Sequence, residues 1–103
     1  MQYEVFVNPI TRAQRSYPFV VVLQSDLADT GRDRIVGFMA PKTAMPDVKG
    51  RLTPIVEVDG SEFVVFVPSL TSVRGSDLGK PVDTVERFRD RITEALDWLF
   101  LGV

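Results

Sequence analysis

Ile55-Val56-Glu57-Val58-Asp59-Gly60-Ser61-Glu62-Phe63-Val64-Val65-Phe66-Val67 is the stretch that decides the fold. Two runs rich in strand formers flank Asp59-Gly60, and Asp-Gly supplies the positive φ angles that a type I′ turn demands. The stretch reads as a β-hairpin, with Pro68 closing its second strand. Working back along the chain, Phe19-Val20-Val21-Val22-Leu23 is a continuous apolar run. Both faces of such a strand need cover, which places it in the middle of a sheet. Ser25-Asp26 breaks it, Asp29-Thr30-Gly31 forms a turn, and residues 35–39 make the next strand. Residues 3–7 alternate and open the sheet, Asn8-Pro9 ends that strand, and polar residues 11–16 form a loop.

Residues 41–54 carry Pro41, Pro46, Gly50 and Pro54. They read as a long excursion with room for a short side strand. Residues 69–78 leave space for one more short strand at 71–74, and Gly79-Lys80-Pro81 turns the chain. A helix is expected from Asp83 or Thr84, where Asp83 and Glu86 have capping-box spacing. Val85, Phe88, Ile92, Ala95, Leu96 and Leu99 then form one apolar stripe at helical spacing. At about 100° per residue, Trp98 points about 110° from the centre of that stripe and Leu101 nearly opposite it. Two large apolar side chains therefore face away from the core, beside a glycine and the end of the chain. Apolar groups so placed mark a partner surface, unless the last turn unwinds and tucks them inside.

Composition narrows the chemistry. At 103 residues the chain is expected to form a single domain, 1–103, mainly β with a C-terminal α-helix. Twelve Lys and Arg against 14 Asp and Glu give a formal net charge of −2, which disfavours binding bare nucleic acid through a broad basic face. Cysteine and histidine are both absent. That excludes thiolate chemistry, a Ser–His–Asp triad and histidine-based metal or proton-transfer sites. No apolar run is long enough to span a bilayer and no secretory signal opens the chain, so a cytoplasmic protein is expected. A domain of this size buries only roughly 60–65% of its unfolded surface, and a homodimer is one way to cover the rest.

The remaining candidates have plain readings. Ser25 and Asp26 fit a Ser or Asx turn. The scattered aspartates match no calcium loop, so no metal and no cofactor is expected. Gly31-Arg32-Asp33-Arg34 and Val73-Arg74-Gly75 read as solvated loops or as contacts for phosphate or RNA, with Arg74 beside Ser72 and Thr71 the position to inspect. Arg87, Arg89 and Arg91 alternate with acids and read as a salt-bridged, solvated helix face.

Val22-Leu23-Gln24-Ser25-Asp26-Leu27-Ala28-Asp29-Thr30 resembles the V-x-V-Q-S-D-[IL]-x-D stretch of the CcdB family of toxins. Met1-Gln2-Tyr3-Glu4-Val5-Phe6 looks like that family's opening strand. Leu52-Thr53-Pro54-Ile55-Val56-Glu57-Val58 and Leu70-Thr71-Ser72-Val73 resemble two more of its elements. Leu99-Phe100-Leu101-Gly102-Val103 is similar to its helix end, which closes on x-Gly-Ile. The resemblance implies a homodimer with an SH3-like β-barrel, as in CcdB and MazF-type toxins, a small additional sheet and a C-terminal helix. It implies a non-enzymatic toxin that binds the A subunit of DNA gyrase, traps the cleaved DNA complex and is neutralised by a cognate CcdA-like antitoxin. The alternatives are an endoribonuclease toxin of the same fold and a non-toxic homologue. Carried over, the gyrase-binding residues are Leu101, Gly102 and Val103, with Trp98 close by. The family's Trp-Gly-Ile ending reads Leu101-Gly102-Val103 here, so a packing side chain stands where an aromatic ring could stack on a target arginine. The family's Ser-Val-Pro-Val segment reads Ser72-Val73-Arg74-Gly75.

Overall fold

The computed structural model describes residues 1–28 and 31–102. Six strands, all antiparallel, form a sheet that closes into a nearly complete barrel. They are β1 (Glu4–Val7), β2 (Phe19–Val22), β3 (Asp33–Pro41), β4 (Ile55–Val58), β5 (Ser61–Arg74) and β6 (Asp83–Thr84), in the order β4-β5-β3-β2-β1-β6. The single helix, α1 (Arg89–Leu101), follows a 3-10 turn at Glu86–Phe88.

The hairpin forms as expected. Asp59 and Gly60 take φ of 51° and 81°, and Val58 pairs with Ser61 across the turn. The β2 run is covered on both faces. Val21 and Leu23 join the core under the helix, with Val5, Met39, Val65, Val67, Ile92 and Ala95. Val20 and Val22 join a second cluster with Phe6, Val36, Val73 and Leu78. Val85, Ile92 and Ala95 of the helical stripe are buried, and Phe88, Leu96 and Leu99 pack against the same core.

Four expectations are corrected, the last of them at the seam described below. Pro68 does not end its strand, because β5 runs from Ser61 through Pro68 to Arg74. The proline falls where the β3–β5 register jumps, from Val36 opposite Thr71 to Phe38 opposite Phe66, so no ladder position there needs its missing N–H. The jump sets off one end of the sheet, where β4, the start of β5 and the end of β3 run together. No strand lies in residues 42–54; the Lys42 ammonium instead gathers the carbonyls of Met45, Pro46 and Val48 at 3.3, 2.8 and 2.9 Å. The helix also starts later than the capping-box spacing implies. Asp83 and Thr84 are strand residues paired with Val5 and Glu4, and Thr84 Oγ1 accepts from the Glu86 N–H at 3.3 Å.

Asp83 is used elsewhere because the barrel has a seam. Edge strand β4 would leave its outward main-chain groups unpaired. The Asp83 carboxylate accepts from the Asp59 N–H at 2.9 Å. Arg87 donates to the Glu57 carbonyl at 3.3 Å and Arg91 to the Ile55 carbonyl at 2.8 Å. Both guanidinium groups also lie over the Phe88 ring, at 4.7 and 5.1 Å. Two of the three helix arginines thus seal the sheet edge and are not the solvated ion-pair face expected. Arg89 alone makes an exposed ion pair, with Glu86 at 3.6 Å, a contact that contributes little.

Candidate functional site

The end of α1 presents large apolar groups that the fold does not use. The helix stays regular to Leu101, so the last turn does not tuck its side chains inside. Phe100 and Leu101 are each 69% exposed and Trp98 is 37% exposed. Trp98 lies flat under Arg51, whose guanidinium carbon is 4.4 Å from the ring centroid. That contact holds the indole at the surface without burying it. Gly102 ends the helix in the left-handed region, φ 70°, and donates its N–H to the Trp98 carbonyl at 3.2 Å. A glycine just past a helix takes that conformation without Cβ strain. Its first duty here is therefore to end the helix. Trp98, Leu101 and Gly102 are brought together on one turn, and Val103 lies outside the described residues.

The Gln24-Ser25-Asp26 segment has the opposite character. Gln24 Oε1 accepts from the Ile35 N–H at 3.2 Å, and Ser25 Oγ accepts from the Leu27 N–H at 3.2 Å, the expected Ser turn. Asp26 Oδ1 accepts from the Met1 ammonium and the Gln2 N–H, both at 3.2 Å. The Gln2 N–H and then the Met1 ammonium hold the Asp26 carboxyl below the usual carboxylate range. Partial burial works to depress the Met1 ammonium. The hydrogen bond and charge of Asp26, with Glu4 at 3.5 Å, outweigh it and raise the pKa. The segment ties the start of the chain and the start of β3 to the end of β2.

A family model described as CcdB protein matches residues 2–102. The chain belongs to the CcdB family. That family comprises gyrase-directed toxins of toxin–antitoxin modules, which are poisons and not catalysts. The barrel with one C-terminal helix is the CcdB fold.

Among the described residues of this CcdB chain, the Asp26 and Asp83 carboxyls are both held below the usual carboxylate range. Asp83 owes this to the Asp59 N–H first and the Thr84 N–H second. A downward shift from backbone donors keeps a carboxylate ionised, which suits an anchor and not a proton donor. Among the described residues, no three acidic side chains converge as a metal site. Arg74 stands exposed at the end of β5 on the same strand face as Ser72, while Val73 between them turns inward. Among the described residues, no helix is long and apolar enough to cross a membrane.

Two residues at the helix end escaped the sequence reading. Phe100 falls on the other flank of the core stripe from Trp98, roughly 80° from its centre, so the same angular arithmetic finds it. Arg51 had no sequence signal, because its contact with Trp98 depends on how residues 42–54 fold back.

Proposed function

We propose that this protein is a CcdB-type toxin, one domain over 1–103, that acts in the cytoplasm as a homodimer. It binds the A subunit of DNA gyrase and holds the enzyme in its DNA-cleaved state, and a cognate CcdA-like antitoxin neutralises it. The reaction is one of binding and needs no cofactor or metal.

The observation that supports this reading most directly is the exposed helix end. Trp98, Phe100 and Leu101 fan around one turn, and Gly102 ends the helix directly after them. Exposed aromatic and aliphatic groups on a rigid element are the usual anchors of a protein interface. Leu101, Gly102, Val103 and Trp98 are accordingly assigned to the gyrase contact, and the homodimer is supported by the small size of the domain. Leu101 packs where the family's Trp would stack, so Leu101→Trp is expected to preserve or strengthen trapping of cleaved DNA.

The test is inducible expression in a bacterium with and without the neighbouring antitoxin gene, followed by gyrase cleavage assays with supercoiled DNA. Growth arrest relieved by the antitoxin, with linear DNA accumulating in vitro, is the expected outcome. RNA cleavage by the purified protein without gyrase trapping would point to the endoribonuclease alternative. No growth effect in either setting would point to a non-toxic homologue. Sedimentation at micromolar concentration is expected to give a dimer, and an exclusive 11.5 kDa species would count against it.

A further inference from the structure

A second surface, distinct from the helix end, is formed where β3 begins and β5 ends. Asp33 pairs with Arg74 and Arg34 with Val73, and the Gly75 N–H donates to the Arg32 carbonyl at 2.8 Å. This brings two arginine-bearing segments, far apart in the chain, to one corner. Gly31, Arg32, Arg74 and Ser76 line a pocket there of about 210 Å³. Arg34 lies alongside, its guanidinium carbon 3.6 Å from where a Cβ on Gly75 would stand.

The cations of this corner are used differently from several elsewhere in the molecule. Arg51, Arg87, Arg91 and Lys42 each have an aromatic ring or a backbone carbonyl as partner. Arg34 donates to the Asp33 carbonyl and packs on Met1 Sδ. Among the described residues, the Arg32 and Arg74 guanidinium groups have no ion pair or hydrogen bond, although Asp33 sits across the ladder from Arg74. Two fork-shaped donors and the Ser76 hydroxyl thus border one concavity with their donor capacity unspent. A tetrahedral oxyanion matches that set, because guanidinium groups bind phosphate oxygens in pairs.

We propose that this pocket binds the phosphate group of a small phosphorylated molecule. Asp33 and Asp77 are exposed beside it and the chain carries a net charge of −2, so a polyanionic strand running across the corner would be repelled. A compact ligand bearing one phosphate meets the arginines without crossing the acids.

The probe is inorganic phosphate, titrated into the ¹⁵N-labelled protein against chloride at matched ionic strength. The Gly31, Arg32, Arg74, Gly75 and Ser76 amides are expected to shift together and saturate in the millimolar range. In an Arg32→Gln, Arg74→Gln double variant the affinity should fall about tenfold or more. Arg74→Gln alone should give an intermediate loss. Both side chains are exposed, so the remaining spectrum should superimpose on the parent. Shifts that never saturate, that spread over other arginines, or that persist in the double variant would overturn the site. A short oligothymidylate with a free 5′-hydroxyl offers only phosphodiesters. It should fail to displace phosphate, and displacement would overturn the small-ligand assignment. Gyrase trapping by the double variant should equal that of the parent, so this proposal and the toxin reading fail separately.

Discussion

The Gln24-Ser25-Asp26 segment and the last turn of α1 both carry the family resemblance, yet the molecule uses them in opposite ways. Gln24 and Asp26 accept hydrogen bonds from distant parts of their own fold, and Ser25 accepts one within the turn it opens. In the second, Phe100 and Leu101 stand mostly exposed. A motif can therefore identify a family because it builds the scaffold, whereas the gyrase contact proposed above would draw on residues that the scaffold leaves over.

The sharpest way to break this contrast is to delete residues 101–103. Growth inhibition is expected to be abolished, with antitoxin binding largely intact and the melting temperature nearly unchanged, because Leu101 and Gly102 bury little. Unfolding on truncation would instead assign the tail to the core or to a dimer interface. A second change probes the scaffold at a site remote in sequence from both regions. Gly60→Val places a β-branched residue at φ 81°, with no atom within 4 Å to clash, so backbone strain is its whole effect. A loss of about 1 kcal/mol or more, about 4–8 °C in melting temperature, should follow, with toxicity falling only as folded protein falls. A folded Gly60→Val protein that fails to bind gyrase would move the target site to the hairpin.

The acid limb of the stability curve tests the polar anchors. Asp83 and Asp26 have folded pKa values below their unfolded ones, so their stabilisation is present above an unfolded pKa of about 3.9. It is lost as pH falls through the lower folded values. The Met1 ammonium has the opposite sign. Its contribution is full below about pH 7.7 and is lost as pH rises through the raised folded value. Chemical denaturation from pH 2 to 7 should show Asp83→Asn with a flatter acid limb than the parent. An identical slope would remove Asp83 from the seam. The smallest effect is expected from Asp26→Asn, which should lower thermal stability slightly and leave gyrase trapping unchanged. Loss of trapping in a folded Asp26→Asn protein would erase the contrast between the two regions.

Much of the barrel was legible because it is written in local periodicity. The Asp59-Gly60 turn, the doubly covered β2 run and the stripe from Val85 to Leu99 are each set by neighbours within a few residues. Trp98 and Leu101 were legible for the same reason, since helical angle alone turns them outward. What sequence reasoning missed is non-local. Pro68 reads as a strand end until the register jump against β3 shows that no donor is needed there. Asp83 fits a helix cap by spacing, but the unpaired Asp59 N–H recruits it. Arg87 and Arg91 look like surface charge until the open edge of β4 lies beneath them. The Asp29-Thr30 part of the expected turn lies outside the described residues.

The seam has a consequence for how this sequence can drift. Its arginines grip the carbonyl oxygens of Ile55 and Glu57, atoms that every amino acid carries. Positions 55 and 57 can therefore exchange side chains while the closure persists, provided the strand itself is kept. Arg87, Arg91 and Asp83 have no such latitude, because each supplies its bond from the side chain. In a set of variants selected only for folding, diversity should accumulate on the gripped strand and be purged from the residues that grip it.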